Sequence, residues 1–183
     1  MHRKGFTLLE IIVAVAIIGL VSAIVIPNLM RRAPSYERQE AIANLNALTQ
    51  LAWQNALIED KIHKIKFNFK TGQVFLEIAT GEYEKEEQIF KPLERMHIST
   101  EFTWPEHLEI RQFIVEKFDE MARFIGKRTE TVWFFIMPDG LAQDVIINFV
   151  DTKDQLPDGR ARPIGLVLNP FNVQFKEYDT FQK

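Results

Sequence analysis

The sequence predicts an α+β protein, in which a long, bent N-terminal helix packs on antiparallel β-sheet. Residues 6–26 are almost entirely apolar, and a helical spacing of apolar residues resumes from Ser35 and lasts to about residue 59. After Asp60 apolar and polar residues alternate with a period of two, which is typical of half-buried strands. The order of the two patterns therefore predicts one helix followed by a β-rich domain.

The apolar segment 6–26 is long enough to cross a membrane. It has 21 residues, and Glu10 is its only charge. At about 1.5 Å per residue this gives roughly 31 Å of helix, the thickness of a hydrocarbon core. An ordinary secretory signal has a shorter apolar region that ends at a small-residue cleavage site. Arg3 and Lys4 precede the segment, so we expect a cytoplasmic N-terminus and an extracytoplasmic region 28–183.

Composition limits the classes of function that the chain can have. The 183 residues include 46% hydrophobic residues and no cysteine, so disulfides and thiolate metal sites are excluded. The formal charge is −3, and removal of Arg3 and Lys4 with a leader would make it −3 − 2 = −5. An acidic chain is not a general nucleic-acid binder, so any such contact needs a local basic patch.

The second half of the predicted helix, residues 27–59, is amphipathic. Pro27 and Pro34 predict a bend between the two halves, because proline cannot donate a helix hydrogen bond. One face of the helix carries an apolar stripe of Ala41, Leu45, Leu48, Ala52 and Ala56. We expect this stripe to pack on the sheet. The opposite face is expected to be polar, with Glu37, Arg38, Glu40 and Asn44.

The region 60–183 predicts several short strands. Alternation over 64–78, with a Thr71-Gly72 turn, predicts a β-hairpin. Residues 80–88 are acidic and polar and predict a loop, and 89–102 predicts one or two strands broken at Pro92. The segment 105–125 fits a strand or a helix, and we prefer a strand to Val115 followed by a helical turn.

The most apolar strand of the predicted domain is 132–137. Trp133 and Phe135 share one face and Phe134 takes the other, so burial on both faces predicts a central strand. A Pro-Asp-Gly turn at 138–140 leads to a return strand over 145–150. Strands at 164–168 and 173–176 are expected to close the sheet.

Residues Gly5–Glu10 follow the basic residues Arg3 and Lys4 and have the sequence Gly-Phe-Thr-Leu-Leu-Glu. This arrangement closely resembles the signal of type IV pilins and pseudopilins. The resemblance implies that a prepilin peptidase cuts between Gly5 and Phe6 and methylates the new amine of Phe6. The charged amine of one subunit can then pair with Glu10 of its neighbour, since both are poorly solvated in a bilayer. The alternative is a signal anchor whose Glu10 reaches the headgroups.

The order of elements resembles the H-type minor pseudopilins, often called GspH/FimT. The resemblance implies the pilin fold and a division of the chain into four parts. These are a cleaved leader at 1–5, a transmembrane half-helix at 6–26, a periplasmic half-helix at 27–59 and a β-rich periplasmic domain at 60–183. It also implies a single-pass protein of the bacterial inner membrane, assembled near the tip of the type II secretion pseudopilus. The implied partners are prepilin peptidase, other major and minor pseudopilins, the inner-membrane assembly platform and secreted cargo.

Three aspartates near the C-terminus raise the hypothesis of a calcium loop. Asp151, Asp154 and Asp158 lie within eight residues of one another, and calcium takes oxygen ligands from such loops. Lys153 and Arg160 interrupt the cluster, so a solvated acidic turn is the simpler interpretation.

A Gly-Arg-Ala-Arg stretch at 159–162 raises a second hypothesis. It resembles the DNA-contacting motif of competence-type minor pilins in this family. Arg160 and Arg162, joined by Lys153, could grip phosphates, which makes DNA uptake by a type IV pilus the alternative function. The structural alternative is that Arg160 and Arg162 lie at the exposed edge of a strand and discourage another strand from pairing there.

An enzymatic function has little support in the sequence. His63, His97 and His107 stand outside any His-Glu-x-x-His spacing, and there is no Gly-x-Ser-x-Gly or phosphate-binding glycine loop. We therefore predict no catalytic residues and no cofactor. A membrane-anchored periplasmic enzyme is the third and least favoured hypothesis.

Overall fold

A computed structural model describes residues 8–30, 34–94, 98–122 and 129–183. They fall in two compact units, Met1–Tyr36 and Glu37–Lys183. The predicted helix consists of α1, Leu8–Met30, and α2, Pro34–Glu59. The predicted ends of the leader at residue 5 and of the transmembrane half-helix at residue 26 stay predictions. The helix α2 ends at Glu59, the predicted end of the periplasmic half-helix.

Ten strands follow the helices in the part of the chain that the structure describes. They are β1 His63–Asn68, β2 Gln73–Glu84, β3 Glu87–Pro92, β4 Glu101–Thr103, β5 Leu108–Val115, β6 Phe118–Asp119, β7 Thr131–Ile136, β8 Val145–Gln155, β9 Ala161–Asn169 and β10 Gln174–Tyr178. The α+β class, with a helix on antiparallel β-sheet, is confirmed.

The strands form two antiparallel sheets. The first has the order β3-β2-β1-β7, with β4 also paired to β2, and the second has the order β10-β9-β8-β5-β6. The predicted hairpin is confirmed, because β1 pairs with β2 from His63–Ile78 to Asn68–Gln73. The return strand predicted after the Pro-Asp-Gly turn is also present, but β8 pairs with β5 and β9 of the second sheet rather than with β7.

The apolar stripe of α2 and the inner faces of both sheets share one core. All five predicted stripe residues are buried, which confirms the predicted face of the helix. Aromatic rings fill the space between the sheets, and Phe67 meets Phe113 edge-on at 5.0 Å. Such burial of large apolar side chains is the main force that holds a domain of this size together.

Two predictions for the middle of the chain are wrong. Residues 80–88 are not a loop, because β2 and β3 form a hairpin that turns at Lys85 and Glu86 with φ of 50° and 70°. Pairing with the neighbouring strand overrides the polar composition there. The predicted helical turn after Val115 is instead a tight turn at Glu116 that leads into β6, while the strand predicted up to Val115 is confirmed.

The prediction of a central strand at Trp133 is also wrong. Within the described residues, β7 lies at the end of its sheet and pairs with the single strand β1. Phe134 is fully buried on the inner face, but Trp133 is 44% exposed on the outer face. The run of three aromatic residues did not distinguish a strand covered on two faces from a strand covered on one.

Candidate functional site

The helix α1 presents apolar side chains around its whole circumference. Leu8, Leu9, Ile17 and Ile18 lie on four different sides of the helix, and each is at least half exposed. A helix that is apolar on all sides needs an apolar environment, either lipid or other helices. The part of α1 that the structure describes with its side chains therefore needs an apolar environment on every side.

Glu10 lies in the first turn of α1 and is exposed. A carboxylate is favourable at this position because the unpaired N–H groups of a helix start carry partial positive charge. Gly5 and Phe6, the predicted cleavage and methylation residues, lie outside the residues that the structure describes. In the described ranges, no helix is at once long enough and apolar enough to cross a membrane.

A second site joins the start of α2 to the second sheet. The guanidinium of Arg38 donates from Nη1 to Asp151 Oδ2 and Asp154 Oδ2, both at 2.9 Å, and from Nε to Glu177 Oε1 at 3.1 Å. The predicted polar face of α2 is thus wrong at Arg38, which is only 8% exposed. A buried guanidinium needs such partners, because an unpaired charge in the interior is very costly.

The electrostatics of this cluster follow from its geometry. Burial opposes the charged form of Arg38, but the hydrogen bonds to Asp154 and Asp151 outweigh burial and raise its pKa above the ordinary value. The hydrogen bond from Arg38, followed by the one from Arg162, lowers the pKa of Asp154. Arg38 and Asp154 therefore stay ionised at neutral pH.

The three aspartates of the hypothesised calcium loop pair with arginines in the structure. Asp151 and Asp154 converge on the guanidinium of Arg38, and Asp158 instead pairs with Arg160. Among the residues that the structure describes, no group of three His, Cys, Asp or Glu side chains is placed to hold a metal ion. The acidic spacing in the sequence reflects an internal ion cluster, because the partner cation comes from a distant helix.

Each cation of the predicted DNA-contacting set faces a carboxylate. Arg160 Nη2 lies 2.6 Å from Asp158 Oδ2, and Arg162 Nε lies 2.8 Å from Asp154 Oδ2. Lys153 Nζ lies 2.7 Å from an oxygen of Glu37 on α2. A phosphate would have to compete with these carboxylates for every cation, which makes the set a poor phosphate site.

Sequence reasoning missed Arg38 and Glu177 as members of the cluster. Arg38 is separated from its partners Asp151, Asp154 and Glu177 by 113, 116 and 139 residues. The one available signal was spacing, because Arg38 lies three residues before Ala41 and seven before Leu45, in helical phase with the apolar stripe. Such a residue is tolerated where carboxylates elsewhere in the fold receive it.

Comparison with known proteins places the similarity at the N-terminus. The family model described as the prokaryotic N-terminal methylation motif matches residues 1–26. Type II secretion system core protein G of Klebsiella pneumoniae is 44% identical over 47 residues, 26% of this chain and 34% of that protein. Type IV major pilin protein PilA of Myxococcus xanthus strain DK1622 is 47% identical over 47 residues, 26% of this chain and 21% of that protein.

The chain spans about a third of the length of the first curated relatives that it matches. Among solved structures, the minor pseudopilin EpsH from the type II secretion system of Vibrio cholerae aligns with 78% of this chain and 95% of its own, at 12% identity and a TM-score of 0.48.

Proposed function

From the premise that its N-terminal segment makes the chain a type IV pilin-like protein, we propose that it is a minor pseudopilin of H type, a structural subunit near the tip of a type II secretion pseudopilus. The observation that carries this proposal is the match of residues 1–26 to the N-terminal methylation motif, directly before and within a helix that is apolar on all sides. Such a helix needs lipid before assembly and other helices after it.

The proposal assigns one step to each part of the chain. A prepilin peptidase removes residues 1–5 and methylates Phe6, and α1 then anchors the subunit as a single pass in the bacterial inner membrane. The N-terminus starts on the cytoplasmic side and the region from Glu37 lies in the periplasm. An inner-membrane assembly platform moves the subunit into the filament, where Glu10 pairs with the amine of a neighbouring pseudopilin.

The H-type assignment is supported by the order of elements after the spine helix. A first hairpin, β1–β2, is followed later by an apolar strand, β7, a Pro-Asp-Gly turn and the return strand β8. The ion cluster of Arg38 supports a structural role for the chain, because it fixes α2, part of the helix that we propose to enter the filament, to the second sheet. We propose no catalytic activity and no cofactor for the chain.

Mass spectrometry of the cellular protein tests this proposal. The expected mature chain begins at N-methylated Phe6 when the prepilin peptidase is present. In a strain without the peptidase, the chain should retain Met1–Gly5. An intact N-terminus in the peptidase-positive strain, or a cut after Ile26, would overturn the proposal.

A further inference from the structure

Three segments meet at the C-terminal end of α2. The indole Nε1 of Trp53 donates to the carbonyl of Gly140, in the loop after β7, at 2.8 Å. In the same loop, the main-chain N–H of Ala142 donates to the carbonyl of Pro170, in the turn before β10, at 3.0 Å. These two hydrogen bonds join the end of the helix, the loop and the turn into one surface.

Each segment of this surface presents apolar side chains to solvent. Leu57 and Ile58 on α2 are 47% and 79% exposed, Leu141 in the loop is 42% exposed, and Phe171 in the turn is 76% exposed. We call these four residues the helix-end patch. Single exposed apolar residues are normal on a protein surface, but a group from several segments marks an interaction site.

The turn that carries Phe171 is held in a strained conformation. Val173 has φ of 52°, although a β-branched residue strongly disfavours positive φ, and its side chain is fully buried. Its carbonyl accepts hydrogen bonds from Thr49 Oγ1 at 3.1 Å and Gln50 Nε2 at 2.9 Å. Backbone strain of this kind persists where the surroundings fix it, and it is concentrated at functional sites.

The loop that carries Leu141 is fixed just as closely. Gly140 has φ of 83°, and a Cβ at this position would lie 3.0 Å from Leu57 Cδ2 and 3.1 Å from Trp53 Nε1. Only glycine allows the loop to approach the helix so closely at this φ. The helix-end patch is therefore preorganised, and a partner loses little free energy in ordering it.

The charges beside the patch are mainly acidic. Glu59 and Asp60 follow Ile58 directly, and exposed Asp139 lies two residues before Leu141, whereas Lys61 is the nearby cation in sequence. Three carboxylates against one ammonium repel anionic lipid headgroups and nucleic acid and attract basic groups. The charge therefore selects among the occupants that the apolar surface alone would admit.

We propose that the helix-end patch is a docking surface for another protein, and that it binds a segment whose apolar side chains are flanked by lysine or arginine. The apolar side chains of the segment cover Ile58 and Phe171, and its cations face Asp60 and Asp139. The contact uses only the folded region after Glu37. It is independent of the cleavage, methylation and assembly proposed for the N-terminal segment.

A pair of designed peptides tests the charge and the apolar surface together. The probe is a fluorescent amphipathic peptide of leucine and lysine, and its counterpart has glutamate at every lysine position. Binding to the full chain in nonionic detergent is followed by fluorescence anisotropy. We expect the leucine–lysine peptide to bind and the leucine–glutamate peptide to bind at least about tenfold more weakly, as expected when charges are complementary.

Two double variants locate the binding site. Ile58→Ser with Phe171→Ser should weaken binding of the leucine–lysine peptide about tenfold, because a few central apolar residues carry most of the energy of a contact. The matched control is Tyr83→Ser with Phe118→Ser, which also removes two side chains, 68% and 72% exposed. Neither substitution changes a charge at neutral pH, and neither residue belongs to the helix-end patch, so this control should bind normally.

Three outcomes would overturn the proposal. One is equal binding of the two peptides, and another is unchanged binding by Ile58→Ser with Phe171→Ser. The third is a dimer of the unmodified chain that this double variant dissociates, because a second copy would then occupy the patch. None of these outcomes alters the N-terminus found by mass spectrometry, so the proposed function would stand or fall separately.

Discussion

Arg38 and Asp151 form an ion pair that closes the folded region across 113 residues, with Nη1 of the guanidinium 2.9 Å from Oδ2 of the carboxylate. The Asp151 side chain is fully buried, and its other oxygen accepts the main-chain N–H groups of Lys153 and Asp154, both at 3.1 Å. These bonds shape the end of β8 around the carboxylate. The ion pair thus fixes the start of α2 in the folded region to one point of the second sheet.

Removal of the Arg38 cation should strongly destabilise the folded region. Arg38→Met keeps much of the side-chain volume but leaves the Asp151 carboxylate buried without its main partner. We expect the free energy of unfolding to fall by about 3–5 kcal/mol, the usual cost of breaking a buried ion pair from one side. Urea denaturation of the full chain in detergent measures this loss.

A matched control separates burial from the loss of a positive charge. Arg111→Met removes an exposed arginine that pairs with Glu109 on the same strand. It should cost at most about 1 kcal/mol, because exposed ion pairs contribute little. Equal effects of the two substitutions would show that Arg38 does not depend on its buried partners.

Acid should weaken the cluster through Asp154. The hydrogen bond from Arg38, and then that from Arg162, lowers the pKa of Asp154 below its ordinary value of 3.8. A carboxyl whose pKa is lower in the folded state contributes stability that is present above its unfolded pKa and is lost as pH falls through the folded pKa. The contribution should therefore be complete above about pH 5, begin to fall near about pH 4, and disappear only below the lowered pKa of Asp154 in the folded chain.

Unfolding free energies measured between about pH 3 and pH 7 check this dependence. Asp154→Asn should lower stability at neutral pH and give a shallower loss on acidification than the unmodified chain. Asp139→Asn, in the exposed loop after β7, controls for the change in net charge. If the free energy of unfolding fell equally steeply with acidification in the unmodified chain and in Asp154→Asn, Asp154 would not be the cause of the loss.

The C-terminal tail should leave the second sheet when Gly165 gains a side chain. A Cβ at Gly165 would lie 2.6 Å from the carbonyl oxygen of Thr180 and 2.7 Å from Cγ of Gln182. Asn148 holds the same tail, donating from Nδ2 to the carbonyl of Gln182 at 2.8 Å and accepting its N–H at 2.9 Å. Gly165→Ala should cost about 1–3 kcal/mol, as overpacking usually does, and expose the tail to carboxypeptidase.

A truncation gives the control for this effect. Removal of 180–183 deletes the atoms with which the new Cβ would overlap. In the truncated chain, Gly165→Ala should therefore have little further effect on the free energy of unfolding, since the two changes act on one contact. Fully additive losses would show that the tail is not the cause.

Glu10 should matter for assembly and not for cleavage. Glu10→Val keeps Gly5 and Phe6, so the peptidase should still cut the leader and methylate the new amine. The amine would then lack a carboxylate partner in the neighbouring subunit, and entry into filaments should fall several-fold. Sheared filament fractions compared with membrane fractions measure incorporation.

Gly5 offers the converse variant. A bulky residue at this position should leave an uncut precursor in the membrane, whatever the state of Glu10. Normal incorporation of the Glu10→Val chain would contradict the pairing of amine and carboxylate.

DNA binding by Arg160 and Arg162 should be weak, because Asp158 and Asp154 already pair with these arginines. We expect no shifted band in a gel mobility assay of the full chain with duplex DNA at low salt. Asp158→Asn is the informative variant, since it removes the competing carboxylate from Arg160. A shift that disappears in the double variant Arg160→Ala with Arg162→Ala would restore DNA uptake as the function.

Local spacing was a sufficient guide wherever one face of an element decides its position. The stripe from Ala41 to Ala56 identified the buried face of α2, and the alternation in 64–78 identified the first hairpin, because apolar periodicity reports directly which side chains leave water. The same reasoning failed at 80–88 and at Trp133. A strand there depends on its neighbours in the sheet, and composition does not show whether a strand has one neighbour or two.

The sequence alone determined the character of the N-terminal segment, the α+β class and the buried face of the helix, because short-range spacing and charge encode all three. Only the tertiary structure decided that three acidic side chains surround Arg38, that the predicted DNA-contacting cations face carboxylates, and that a strained turn presents Phe171 to solvent. The ion pairs of Arg38 join residues more than a hundred positions apart, as does the pair of Lys153 with Glu37. Their energies depend on distance and burial in the folded chain, which no local pattern records.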